Sequence, residues 1–447
     1  MRTPLASIAA LLFSVALLLM GNGLQNTLLP VRANLETFST TDIGVLGSFY
    51  FAGFAAGCLL GPWLIKRAGH IRSFTAMVSL ASTIVLAHAM LPEVVVWWLL
   101  RAVTGFCFAT LYMIIESWLN ERATNETRGA IFSIYTIINL SVLTLGQMMI
   151  ILYDPTTFSL FALASILVSM AAVPVALTAA QAPAPVKQVK VRPWRIFRLS
   201  PVGFVGCLVV GMANGSFWSL GPIFAQKSGM QVRDLAIFMS VTAIAGAVGQ
   251  WPLGYLSDFV DRRKVILGAG LAASLAGLGL VLLSQASIVT LMAAGFAYGL
   301  FALPLYGLSV AHTNDFAAQD DFVEVASGLL LIYAVGAIIG PLIASAAMTF
   351  IGPAGLFAFT ALVHVLLAVF AMARMNIRER ASEDHRVNFN ETILGAQTVS
   401  PLDPRAEIPE DGDDYGDGNG YEVDGAAAQP GRSGPVEPSA ADQTGRG

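Results

Sequence analysis

Apolar residues in this chain come in long blocks, and polar residues gather in short stretches between them. The blocks recur from Leu5 to Met375, and many approach the ~20 residues that carry a helix across a bilayer. The pattern predicts twelve helices, near 5–29, 41–65, 73–91, 94–119, 129–152 and 157–180, then 201–225, 235–257, 265–285, 287–312, 323–347 and 354–376. The first block carries Asn22, Gln25 and Asn26 near its end and lacks a small-residue cleavage site. It therefore reads as a span and not as a secretory leader.

Composition places the chain in the same class. Of its 447 residues, 55% are hydrophobic and only 12% charged, about half the ~25% usual in soluble domains. The expected fold is all-α and integral to the membrane, with the lipid bilayer as partner. No nucleic-acid partner is expected, and the chain is expected to act as a monomer. Cys58, Cys107 and Cys207 lie inside apolar blocks, without metal spacing, and read as small packing residues. His70, His88, His312, His364 and His385 are scattered and show no zinc spacing. A phosphate-binding Gly-x-x-x-x-Gly-Lys is missing, so ATP drive is unsupported. No nucleophile–base pair or metal set points to an enzyme, and no cofactor is expected beyond a proton as coupling ion.

Charge sets the expected topology. With a cytoplasmic N-terminus, fifteen bases of residues 1–376 fall inside, and only Arg32, Lys227 and Arg233 fall outside. That asymmetry places both termini in the cytoplasm of a bacterial inner membrane. Residues 181–200 are rich in proline and bases and too polar to span. They read as a cytoplasmic linker with a short interfacial helix around Trp194 and Phe197. Residues 377–447 hold fifteen acids and six bases, and they read as a solvated, disordered cytoplasmic tail. Its acid–glycine run, Glu410 to Gly420, lacks the closing glutamate and the flanking helices of a calcium loop.

The chain also resembles itself. Met20-Gly-Asn22-Gly23 matches Met212-Ala-Asn214-Gly215, and Leu28-Leu-Pro30 matches Leu220-Gly-Pro222, both offset by 192. Leu111-Tyr112 and Asn120-Glu121 match Leu305-Tyr306 and Asn314-Asp315 at offset 194. Matches at nearly one offset predict two six-helix bundles, 1–180 and 201–376, with a solute site between them.

The turn between the eighth and ninth helices reads Gly254-Tyr-Leu-Ser-Asp258-Phe-Val-Asp261-Arg262-Arg263-Lys264. Glycine allows close backbone approach, an acid suits a helix N-terminus, and bases hold a turn inside. This spacing resembles the loop signature of the major facilitator superfamily, which joins the second and third helices of each six-helix half. The resemblance implies a gating turn of Gly254, Asp258, Arg262 and Arg263, and a contact from Asp258 to the start of the fifth helix near Gly129. That contact would stabilise the outward-facing state. The N-terminal copy, Gly61-Pro-Trp-Leu-Ile65-Lys66-Arg67, has Ile65 where the acid would stand, so the latch is expected in the C-terminal half only.

Arg101 is a base inside a predicted span, where a charge costs about 2.5–3.5 kcal/mol on insertion scales. It shares one helix face with Gly105, Phe108, Tyr112 and Glu116. Arg101 and Glu116 lie about 22 Å apart along that helix and cannot pair directly. Arg101-Ala-Val-Thr-Gly105 resembles the superfamily's fourth-helix Arg-x-x-x-Gly, in which the arginine is tied to proton coupling or to substrate anions. A purely structural arginine bonded to carbonyls is the alternative. Glu116 is a candidate proton carrier or a cytoplasmic gate residue. The run from Glu116 to Gly129, with Thr110-Leu-Tyr112-Met and Ala311-His-Thr-Asn-Asp315, resembles the YcaD-like branch of the superfamily.

Asn22, Gln25 and Asn26 share a face of the first helix. Asn214 and Trp218 share one on the seventh, Asn139 and Gln147 lie on the fifth, and Tyr306 lies on the tenth. The resemblance implies a cavity lined by the first, fourth, seventh and tenth helices. Amides beside aromatics suit a small polar or amphipathic solute, and simple interhelical bonding is the alternative. Gly53, Gly57 and Gly61 are expected to form a packing seam. The expected function is a secondary transporter working by alternating access. Multidrug efflux and a non-transporting sensor acting through the tail are the alternatives. Efflux antiporters often carry Gly-x-x-x-Gly-Pro in the fifth helix, whereas here Gly336-x-x-x-Gly340-Pro341 lies in the eleventh.

Overall fold

The computed structural model describes residues 4–123, 128–177, 192–318, 321–375, 377 and 389. It contains twelve helices long and apolar enough to cross a membrane. In chain order the first is Pro4–Leu35, the second Thr40–Ala68, the third His70–Met90 and the fourth Val94–Arg122. The fifth is Arg128–Met148, extended by a 3-10 turn, Met149–Leu152, and the sixth is Ser159–Met170 with Ala172–Ala176. A short helix, Pro193–Leu199, precedes the seventh, Pro201–Lys227. The eighth is Val232–Phe259, the ninth Arg262–Leu282, the tenth Ile288–Ala302 with Leu305–Asn314, the eleventh Phe322–Ile351 and the twelfth Gly355–Met375.

All twelve expected helices are present. Two are broken where the apolar pattern runs on unbroken. Pro174 and Pro304 have no N–H to donate, and the proline ring crowds the carbonyl four residues back. The sixth helix accordingly breaks at Ala171 and the tenth at Leu303 and Pro304. The second and third helices meet at one residue, Gly69, whose φ of 82° is a conformation that glycine adopts at little cost.

Helix contacts repeat with a shift of six. The first packs on the fifth and sixth, the second on the fourth, and the third on the sixth. The seventh likewise packs on the eleventh and twelfth, the eighth on the tenth, and the ninth on the twelfth. Glycines make the tightest approaches. A Cβ at Gly53 or Gly57 would collide with the fourth helix, and one at Gly105 would collide with the backbone of Tyr50. Gly61 meets only side-chain atoms of Thr110 and Met113, so the seam is closest at its first two glycines. In the second half, Gly336 and Gly340 press on the seventh helix at Leu208 and Met212. The Gly-x-x-x-Gly of the eleventh helix is thus a packing device.

Across the halves, the second helix packs on the eleventh and the seventh, the first on the seventh, and the fifth on the eighth. The second–eleventh contact is closed at its Thr40 end. Ser48 donates to the Ile338 carbonyl of the eleventh helix at 2.7 Å, and beside it Lys227 of the seventh helix donates to the Thr40 hydroxyl at 2.6 Å. A Cβ at Gly44 would strike Ser345, and one at Gly47 would strike Ser219.

Candidate functional site

Three helices bring Asn26, Tyr50 and Arg101 to one place. Each residue lies roughly 10–15 Å along its helix from the end that carries Leu35, Thr40 and Val94. Arg101 is only 7% exposed. Its Nη2 donates to Asn26 Oδ1 at 2.7 Å, and its guanidinium lies 4.2 Å from the Tyr50 ring centroid. The face of an aromatic ring attracts a cation, the more strongly away from water. Gly105 makes this stacking possible, because it lets the second helix approach until Tyr50 lies under the arginine.

From Arg101 a file of polar groups runs along the first half. Asn22 stands beside the hydroxyls of Tyr50 and Tyr112. Tyr112 neighbours Glu116, and the Tyr135 hydroxyl donates to Glu116 Oε1 at 3.3 Å. Asn139 stands beside Tyr135. Arg101 and Glu116, too far apart to pair, are thus joined through tyrosines. In the second half, Asn214 lies beside Tyr333, and the Tyr333 ring meets Tyr306 edge to face at 4.9 Å. Cys58, on the second helix, lies within electrostatic reach of both Glu116 and Tyr306.

Several of these groups also keep a buried atom without a protein partner. Asn22 Oδ1, both side-chain heteroatoms of Gln25, Arg101 Nη1, Asn139 Oδ1, Gln147 Oε1 and Asn214 Oδ1 make no hydrogen bond. Buried polar atoms are normally satisfied, so a cluster of exceptions needs an account. Gln147 follows Gly146, which packs directly on the backbone of Met20 and Leu24 in the first helix. Trp218 differs, because it packs against Phe217 at 5.2 Å as part of the second half's aromatic core.

The turn between the eighth and ninth helices is a separate cluster. Arg262 and Arg263 open the ninth helix, where bases oppose the helix dipole. Acids offset this. Arg262 meets Asp258 at 3.0 Å and Asp315 at 3.3 Å, and Arg263 meets Asp261 at 2.7 Å. The corresponding place in the first half holds His70, whose Nε2 lies 3.2 Å from the Ser117 hydroxyl, while Ile65 is buried. The contact expected near Gly129 involves side chains outside the described residues. Within the expected tail, Phe389 is described, and it is not solvated. It is 1% exposed, lies against Gly254, and donates its backbone N–H to Asp258 at 3.1 Å.

The Trp194–Phe197 helix of the linker is present, with the two rings stacked at 5.3 Å. It is tied to the start of the eleventh helix. Arg192 makes a two-pronged contact with Glu324 at 2.9 and 2.7 Å, and Arg195 bonds Glu324 at 2.8 Å and Asp321 at 2.5 Å. These hydrogen bonds to carboxylates raise both arginine pKa values above the ordinary guanidinium range.

The sequence reading passed over Tyr50, Tyr333, and the pairs His70–Ser117 and Arg262–Asp315. Tyr50 and Tyr333 have no polar residue at helical spacing to mark a face.

Comparison with known proteins gives the same fold. The chain is 28% identical over 340 residues to the MFS-type transporter YcaD of Escherichia fergusonii, covering 74% of this chain and 86% of that protein. It is 29% identical over 350 residues to the MFS-type transporter Ent638_1421 of Enterobacter sp. strain 638, covering 76% and 88%. Among solved structures, a mutant of the nucleoside transporter NupG superposes with a TM-score of 0.71 at 14% identity, covering 83% of this chain and 100% of that one. An inward-facing, occupied bacterial homologue of the human lysosomal transporter Spinster gives 0.66 at 16% identity, covering 87% and 99%. The Major Facilitator Superfamily model matches residues 11–314 and again 204–404, and the chain belongs to that family.

Proposed function

We propose that this protein is a secondary active transporter that carries a small organic solute across the bacterial inner membrane by alternating access, driven by the proton gradient. One observation carries the reading. Asn22, Gln25, Arg101, Gln147 and Asn214 present buried polar atoms without protein partners, beside a second–eleventh contact that is closed at its Thr40 end. Membrane spans satisfy their polar groups where they can, so such a set fits a place that a solute and water visit.

The charge asymmetry supports two cytoplasmic termini, which makes the Thr40 end periplasmic. The site then lies under a closed outer end, as an inward-directed or occluded state requires. The repeated contact pattern supports two rocking units, 1–180 and 201–376, joined by the linker 181–200. Glu116 is buried and bonded to Tyr135, and it supplies a carboxyl that can load and release a proton at the cytoplasmic half. Uptake into proteoliposomes, with and without an imposed pH gradient, tests the reading. Accumulation that follows the gradient supports it. Solute flux without accumulation makes the protein a facilitator, and a protein inert with every solute class leaves the sensor reading.

A further inference from the structure

The charge of Arg101 is not neutralised within the protein. Its contacts are one amide oxygen, Asn26 Oδ1, and the face of Tyr50. Among the described residues no carboxylate pairs with it, and the acid on its own helix face, Glu116, lies about 22 Å away. The nearby His88 sends its Nδ1 to the Ile84 carbonyl and offers no negative charge. A buried cation without a counter-ion is expensive, and one guanidinium nitrogen, Nη1, is left without an acceptor. Arg192, Arg195, Arg262 and Arg263 show the contrast, since each meets one or two carboxylates.

The first helix brings amides to this place: Asn26 bonds Arg101, and Asn22 stands beside the hydroxyl of the Tyr50 that underlies it. Gln25 is adjacent to Asn26 on the first helix, Asn22 lies one turn earlier, and Gln147 follows Gly146, which packs on the first helix at Met20 and Leu24. Their unpartnered atoms include both the oxygen and the nitrogen of Gln25 and the oxygens of Asn22 and Gln147. An amide set that offers acceptors and a donor is matched by hydroxyl groups, which both give and take a hydrogen bond. A guanidinium with a free edge is matched by a carboxylate.

Resting on the transporter reading, we propose that the solute is a small hydroxycarboxylate. Its carboxylate meets Arg101 Nη1, and its hydroxyls meet Gln25, Asn22 and Gln147. The solute itself supplies the counter-charge that the fold withholds. Selectivity follows, because a neutral analogue leaves the guanidinium unpaired in a desolvated site.

The test uses the purified full-length protein and matched probes: gluconate, lactate and glycerate against glucose, lactamide and glycerol. Thermal stability is read first, since a ligand that binds the folded state raises it. At least one carboxylate should give a shift that its neutral counterpart lacks. Arg101→Gln, which keeps a donor for Asn26, should weaken that carboxylate about tenfold or more. Arg101→Gln without ligand should be as stable as wild type or more so, because an uncompensated buried charge is removed. Should Arg101→Gln fold poorly, Gln25→Leu gives a second reading, with hydroxyl-dependent affinity lost and the preference for an anion kept. Equal shifts from acid and neutral probes would overturn the proposal. So would a carboxylate shift that survives Arg101→Gln, or no carboxylate shift at all. The same probes in proteoliposome counterflow separate the two claims. A carboxylate shift without flux sinks the transporter reading and leaves the anion site, whereas flux of a neutral probe alone does the reverse.

Discussion

Phe389 and Asp258, 131 positions apart in the chain, are joined by a 3.1 Å hydrogen bond from the Phe389 backbone N–H to the Asp258 carboxylate. The same carboxylate oxygen receives Arg262 at 3.0 Å, and the Phe389 ring covers Gly254 so closely that no Cβ fits between. Gly254→Ala should therefore unseat Phe389 and cost about 1–3 kcal/mol of stability. In a Phe389→Ala background the alanine at 254 should cost almost nothing further. Thermal denaturation of the four proteins forms a double-mutant cycle, and strictly additive losses would show that the ring does not sit on this glycine.

Arg262 is 2% exposed and shared between two acids, of which Asp315 is 4% and Asp258 21% exposed. Removing one member of a buried pair strands the other, typically at about 3–5 kcal/mol. Asp315→Ala should thus be the more damaging change, and Asp258→Asn the milder. Chemical denaturation in detergent ranks them, and an inverted order would mean that Asp315 is less desolvated than the structure has it.

The closed Thr40 end depends on glycines as much as on hydrogen bonds. A side chain at Gly44 has no room against Ser345 and the Pro341 carbonyl. Gly44→Val should wedge the second and eleventh helices apart and favour the state open at the Thr40 end. A single cysteine introduced as Gln25→Cys, with the native cysteines replaced, should then react faster with an impermeant thiol reagent added outside. Labelling that stays at the level of the Gly44 protein would show that the seal lies elsewhere.

Glu116 accepts from Tyr135 and sits within the polar file that leads to Arg101. Glu116→Gln keeps the shape and removes the titration. Gradient-driven accumulation should collapse while solute counterflow, which needs no net proton movement, continues near the wild-type rate. Loss of both activities together would assign Glu116 to gating or to folding.

The helices were legible because the bilayer demands them. A span must hold ~20 apolar residues and satisfy its backbone internally, so length and hydropathy reveal it. The two breaks were harder to read, because Pro30, Pro62, Pro222, Pro252 and Pro341 are carried inside unbroken helices. The face shared by Arg101, Tyr112 and Glu116 was also legible, since helical spacing puts such residues in line.

What the sequence determined by itself, then, was the number of spans, the repeat, the family and the polar faces of single helices. These follow from local periodicity and from the solvent the chain must cross. Which faces meet was decided only in the tertiary structure. Tyr50 comes under Arg101 because Gly105 lets two helices touch, Asp315 completes Arg262 from another helix, and Phe389 returns to Gly254 from beyond the last span. Contacts between helices depend on shape complementarity between residues far apart in the chain, and no local pattern encodes it.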